Sequence, residues 1–145
     1  MLLGIFTASQ IVGALLMPPI AERMHGRRIV FALAVAAAAA ALAVIAVDPR
    51  FAPVAVISVF GIGLGGGFAM GLALLSEWGA DPSASARLTA MAYSVTYLIA
   101  AFGPLVAGVL LDATDSWELV FGLLAVVGLV QLATVRALRR GVLID

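Results

Sequence analysis

Cysteine and lysine are both missing from this chain of 145 residues, and His25 is its one histidine. Without cysteine there is no disulfide framework and no thiolate metal site, and a lone imidazole rules out a histidine-rich metal cluster. No metal or cofactor is expected. Charged side chains are scarce as well, 11% of the residues, against roughly 25% in ordinary soluble domains. The formal net charge is zero, so no basic excess points to nucleic acid as a partner. A soluble fold of this size would lack the polar groups needed to cover its surface.

What the chain has instead is apolar length. Hydrophobic residues make up 64% of it, and uncharged windows run over residues 1–21, 29–47, 51–76, 88–111 and 119–135. Each approaches or exceeds the roughly 17–25 residues that carry a helix across about 30 Å of hydrocarbon. Residues 29–47 contain only Ile, Val, Leu, Phe and Ala. Their large apolar side chains favour insertion by about 3–5 kcal/mol, and a central Arg would cancel about 3 of that. A helix that is apolar all round is buried or in lipid. Five in so short a chain leave no polar layer to bury them. The expected fold is therefore all-α, a polytopic membrane protein with five transmembrane helices, spanning about 2–20, 29–47, 53–76, 87–111 and 117–136. A cleaved signal peptide is the competing reading of the first window, but no cation precedes it and Arg23, Arg27 and Arg28 follow it, the reverse of the usual flanks.

The loops carry the charges unevenly. Alternating the spans puts Arg23, Arg27, Arg28, Arg87, Arg136, Arg139 and Arg140 on one side, and only Arg50, with Asp48, Asp112, Asp115 and Glu118, on the other. The positive-inside rule makes the arginine-rich side cytoplasmic, so the N-terminus is expected outside and the C-terminus inside. Turn chemistry marks the connections: Asp48 before Pro49, Asp81 as an N-cap before Pro82, and Asp115 with Glu118 as a capping box for the last helix.

Residues 61–71 read GIGLGGGFAMG, and the first six satisfy G-x-G-x-x-G, the phosphate-cradling fingerprint of dinucleotide-binding folds. That fingerprint needs an acidic residue at the end of a second strand, and Asp81 follows EWGA with no strand before it. Gly63, Gly67 and Gly71 recur every four residues, as do Gly61 and Gly65. Such spacing bares helix backbone and lets neighbouring helices approach closely. Helix packing is the favoured reading, and a nucleotide-dependent oxidoreductase explains the glycine run alone. The chain is expected not to be an enzyme.

Residues 22–28, ERMHGRR, resemble the D-R-x-G-R-R loop of the major facilitator superfamily. Residues 108–121, GVLLDATDSWELVF, look like that superfamily's G-x-L-x-D-x-x-G-x-W-x-x-x-F signature. GIGLGGGFAMGLALL and ARLTAMAYSVTYLIAAFGPLVAGVL are similar to the tenth and eleventh helices of its cyanate-permease-like members. Glu22 stands for the usual Asp, Pro18 for an opening Gly, and Asp115 for the expected Gly, while His25 looks like an insertion. The resemblance implies that the spans are helices eight to twelve of a twelve-helix carrier, with the eighth, tenth and eleventh lining the substrate path and the ninth and twelfth facing lipid. It also implies transport of a small solute, such as a cyanate-like anion, by alternating access in the bacterial cytoplasmic (inner) membrane. The partners are the bilayer, a small-molecule substrate and a missing N-terminal half, and the fragment is expected to be inactive alone. A small oligomeric membrane scaffold or channel is the rival class.

The candidate residues keep more than one reading each. Gln10, Tyr93, Thr96 and Tyr97 are candidates for the substrate path. Tyr93 and Tyr97, four residues apart on one helix face, fit an interfacial aromatic belt equally well, and Gln10 fits an interhelical hydrogen bond. Gln131 is assigned to such a bond. Glu22, Arg23, Gly26, Arg27 and Arg28 form either a gating loop or a solvated loop that anchors topology. Gly63, Gly67, Gly71, Gly103, Pro104 and Gly108 are assigned to helix packing, with a kink at Gly103 and Pro104. No span holds an ionisable residue near its centre, so no ion-coupling residue is assigned.

Overall fold

The computed structural model describes residues 1–24, 26–76 and 81–135. They form five helices: α1 (Leu2–Arg23), α2 (Arg27–Val47), α3 (Pro53–Ser76), α4 (Pro82–Thr114) and α5 (Trp117–Val135). Among the described residues there is no strand. Four of the helices, α1 to α4, are long and apolar enough to cross a membrane, and α5 contributes a shorter apolar run, Trp117–Ala133. His25, residues 77–80 and the C-terminal arginines Arg136, Arg139 and Arg140 lie outside the described residues.

Local chemistry sets the helix ends. The Gly26 carbonyl accepts from the Ile29 and Val30 N–H groups at 2.8 and 3.0 Å, opening α2. At its other end, an Asp48 carboxylate oxygen accepts from the Arg50 N–H at 3.0 Å, and the Asp48 carbonyl accepts from Phe51 N–H at 3.1 Å. An aspartate that bonds backbone two residues on makes a local turn, and Pro53 then supplies the fixed φ suited to a first helical position. Asp81 caps α4 as its sequence suggests: its side chain accepts from Ala84 N–H at 2.7 Å, with Pro82 following.

The junction of α4 and α5 differs from the expected capping box. Asp115 is the C-cap of α4, at φ 50° and ψ 30°, and its N–H donates to Leu111. Ser116 opens α5 by accepting from the Leu119 N–H at 3.3 Å. An N-cap residue has extended backbone, whereas Asp115 is left-handed. That conformation favours glycine, which is the residue the family signature places here.

α3 is the hub of the bundle. It packs along much of its length against α1 on one side and α2 on another, α2 in turn packs against α5, and α4 touches α3 and α5 along little of its length. Ala21, Val30 and Met70 form a small core joining α1, α2 and α3, with Met17 and Phe31 packed on it. By contrast α4 buries only Ala84. Leu98, Ile99, Leu105 and Val109 stand between 64% and 70% exposed. In water such a surface would be unfavourable by roughly 25 cal/mol for each Å². Hydrocarbon removes that term, since lipid tails are as apolar as leucine.

Four hydroxyls in the helices are satisfied locally. Thr7, Ser58, Ser94 and Thr114 donate to the carbonyls of Leu3, Val54, Ala90 and Leu110, at 2.7–3.0 Å. Each bond runs back one helical turn, so these groups enter an apolar medium already paired.

Candidate functional site

The seam between α1 and α3 is made by absent side chains. A Cβ added to Gly61 would lie 2.6 Å from the Phe6 carbonyl oxygen and 2.9 Å from Ser9 Cβ, and one added to Gly65 would overlap the Gln10 backbone. From the opposite side, a Cβ on Gly13 would strike the Ile62 backbone. Gly63 serves the other flank of α3: its Cβ would lie 2.7 Å from the Ala34 carbonyl oxygen and 2.8 Å from the Ala38 nitrogen of α2. Backbone therefore meets backbone on two sides of α3, as small residues permit in lipid.

The other glycines assigned to helix packing are placed differently. A Cβ on Gly67 would come no closer than 3.9 Å to Val35, and one on Gly71 would meet Phe31 at 4.0 Å. Both are ordinary contact distances. Gly103 and Gly108, on α4, face open space. Pro104 lies between them inside a helix that continues on both sides of it.

The candidate path residues fall on two sides of α3. Gln10 lies on α1 at the seam. Across α3, an open-sided cavity of about 530 Å³ lies among α2, α3, α4 and α5, and Tyr93 and Thr96 line it. The Tyr93 ring stacks on Tyr97 with centroids 5.7 Å apart, and meets Phe68 edge-on at 5.9 Å. Tyr97 itself is 64% exposed. The structure brings Tyr93, Thr96 and Tyr97 together and leaves Gln10 apart from them. Gln131 of α5 also lines the cavity. No sequence spacing links a residue so far along the chain to Tyr93, so this neighbour is visible only in three dimensions.

At the α1–α2 end, Arg27 pairs with Glu22 at 3.3 Å, both side chains being well exposed. An exposed pair of this kind contributes about 0–1 kcal/mol. Arg23 sits in the last turn of α1, where a cation is favoured by the helix dipole. Gly26 is the N-cap of α2 with φ −133°, a conformation open to other residues. Arg28 occupies the first turn of α2, half-exposed. Among the described residues no group of His, Cys, Asp or Glu is arranged to hold a metal ion.

The family model described as Major Facilitator Superfamily matches residues 1–141, nearly the whole chain. The chain belongs to the major facilitator superfamily. The family match agrees with the four helices long and apolar enough to cross a membrane, and makes the chain part of a multi-pass membrane protein. It is similar to the cyanate transport protein CynX of Escherichia coli (strain K12), 33% identical over 130 residues, which cover 88% of this chain and 34% of that protein. The chain thus spans about a third of the length of the curated relative it matches. No solved structure matches it. Past Asp115, the Trp117 and Phe121 rings lie one helical turn apart with centroids 6.0 Å apart. The left-handed residue turns the chain between α4 and α5.

Proposed function

We propose that this chain is the C-terminal part of a secondary carrier that moves a small solute by alternating access, its five helices corresponding to helices eight to twelve. A small anion of the cyanate type is the substrate class. The observation that carries the reading is the family match over residues 1–141, joined to the likeness to a protein named for cyanate transport. In carriers of this architecture two helical halves rock about a site near the membrane midplane. A complementary N-terminal half supplies the other wall, and the chain alone does not transport.

On this reading Gln10 and Tyr97 are presented to the complementary half, with Tyr93 and Thr96 behind Tyr97. The Glu22–Arg27 pair, flanked by Arg23, Gly26 and Arg28, holds the ends of α1 and α2 together on the cytoplasmic side in one state of the cycle. The described arginines, at or between the helix ends, support the orientation, with Arg23, Arg27, Arg28 and Arg87 on the cytoplasmic side and Arg50 opposite. The membrane is the bacterial inner membrane, with the C-terminus in the cytoplasm.

The test is complementation. The 145-residue chain is co-expressed with the N-terminal two thirds of the E. coli relative in cells lacking a cyanate carrier, and uptake of labelled cyanate is followed. Uptake is expected only when both pieces are present. Transport by the purified chain alone in vesicles would overturn the half-carrier reading, and cross-linking to itself without complementation would favour an oligomeric scaffold.

A further inference from the structure

α1 holds two adjacent prolines, Pro18 and Pro19, inside an unbroken helix. Proline has no N–H, so the carbonyls of Ala14 and Leu15, four residues before them, lose their α-helical donors. The Ala14 carbonyl can share the Met17 N–H, three residues on, in a tighter turn. Leu15 has no such recourse, because the residue three positions after it is Pro18. The Ile20 N–H belongs to the Leu16 carbonyl in the regular ladder. The Leu15 carbonyl is therefore an acceptor without a donor on its own backbone. It lies about 20 Å from Leu2 and about 12 Å from Arg23 along the helix axis, inside a membrane-length span.

The described bundle does not supply the donor. α1 packs on α3 and, over a short stretch, on α2, and on neither α4 nor α5. α2 has no side chain with an N–H or O–H over residues 29–47, and α3 has none between residues 58 and 76. Ser58 and Ser76 donate to the Val54 and Ala73 carbonyls of α3 itself. On α1, helical side chains lean toward the N-terminus, which carries the Gln10 amide away from Leu15. The orphaned oxygen falls between Leu15 and Pro19, on a helix face shared with Ala8, Ile11 and Val12, and all five residues are exposed.

What covers this face has to bring a donor. Acyl chains have none, and an unpaired backbone carbonyl in hydrocarbon is strongly unfavourable. A cyanate-type anion is itself an acceptor. A water molecule needs two to four polar partners, and the side chains of this face are all apolar. We propose that the face of α1 formed by Ala8, Ile11, Val12, Leu15 and Pro19 docks on a helix of the complementary half, and that a hydroxyl or amide side chain of that helix donates to the Leu15 carbonyl. The inference rests on the half-carrier reading above, and adds to it the face that meets the partner and the chemistry of the contact. It removes from the lipid boundary a surface whose side chains alone would suit lipid.

The chain is made by cell-free synthesis with heavy isotopes of carbon and oxygen in the Leu15 carbonyl, and placed in nanodiscs with and without the N-terminal two thirds of the E. coli relative. Infrared spectroscopy then reads the isolated amide I band of that one group. Without the partner the band should lie high, as for a free carbonyl. With it the band should fall to the position of a hydrogen-bonded helix carbonyl. The same label at Ile11, whose carbonyl keeps the Leu15 N–H as its donor, should not move. Pro19→Ala returns an N–H to Leu15; it should lower the band in the lone chain and weaken the complex about tenfold, as expected for one hydrogen bond. The wild-type spectra decide the matter even where that variant fails to fold. A band already low in the lone chain and unmoved by the partner would assign the donor to water or to the chain itself, and would overturn the proposal. A complex that takes up cyanate with the band still high would overturn it and leave the half-carrier reading standing. Failure of the two pieces to associate would overturn both.

Discussion

The α1–α3 seam and the α4 helix are both rich in small residues, yet they are built on opposite terms. At the seam Gly13, Gly61 and Gly65 are spaces that the neighbouring backbone occupies, and the position of one helix dictates that of the other. On α4, Gly103 and Gly108 face open space, and the helix touches α3 and α5 along little of its length. A glycine in a membrane helix is therefore evidence of close packing only where another backbone stands opposite. The same residue type marks a joint in one region and a clearance in the other.

The largest effect should come from filling the joint. Gly65→Leu forces side-chain atoms into the Gln10 backbone and should cost about 3 kcal/mol or more, measured as a lowered midpoint of thermal unfolding in detergent. Gly108→Leu should move that midpoint little, and equal losses at the two sites would erase the contrast. At the far end of the tight region, Arg27→Ala in the complemented carrier should reduce cyanate uptake about tenfold while changing stability by less than about 1 kcal/mol. Unchanged uptake would reduce the Glu22–Arg27 pair to a topological anchor. For α4, Asp81→Ala removes the bond to the Ala84 N–H and should cost about 1 kcal/mol, read as faster hydrogen exchange confined to the first turns of α4. Exchange spread over α1 and α3 would mean that α4 is coupled to the seam after all. The smallest change is a gain: Asp115→Gly relieves the left-handed backbone at φ 50° and should stabilise by about 0.5 kcal/mol.

Five helices were legible in the sequence because hydrocarbon demands uninterrupted apolar length, and residues 29–47 or 88–111 satisfy that without any tertiary knowledge. Helix ends were less legible. α1 runs on to Arg23 and α4 begins at Pro82, before Arg87, because a charge ends a hydrocarbon window and not a helix. Asp115 and Glu118 matched a capping pattern in spacing alone. Which of Asp115 and Ser116 caps α5 depends on a backbone angle that the pattern does not encode. The candidate site was legible in residue type and not in grouping. Gln10 and Tyr93 are similar signals in the sequence, yet α3 stands between them, and the choice of face for each helix is made by which glycines its neighbours can reach.

The two-residue corner at Asp115 and Ser116 leaves the chain no slack between α4 and α5. Any displacement of α4 must then be a swing about that fixed elbow, with the greatest travel at Pro82, about 50 Å away along a helix of 33 residues. Over that length a tilt of a few degrees at the elbow becomes a shift of several ångströms at the other end, where the Ser85 hydroxyl donates to the Ser76 carbonyl at 3.2 Å and opposes it.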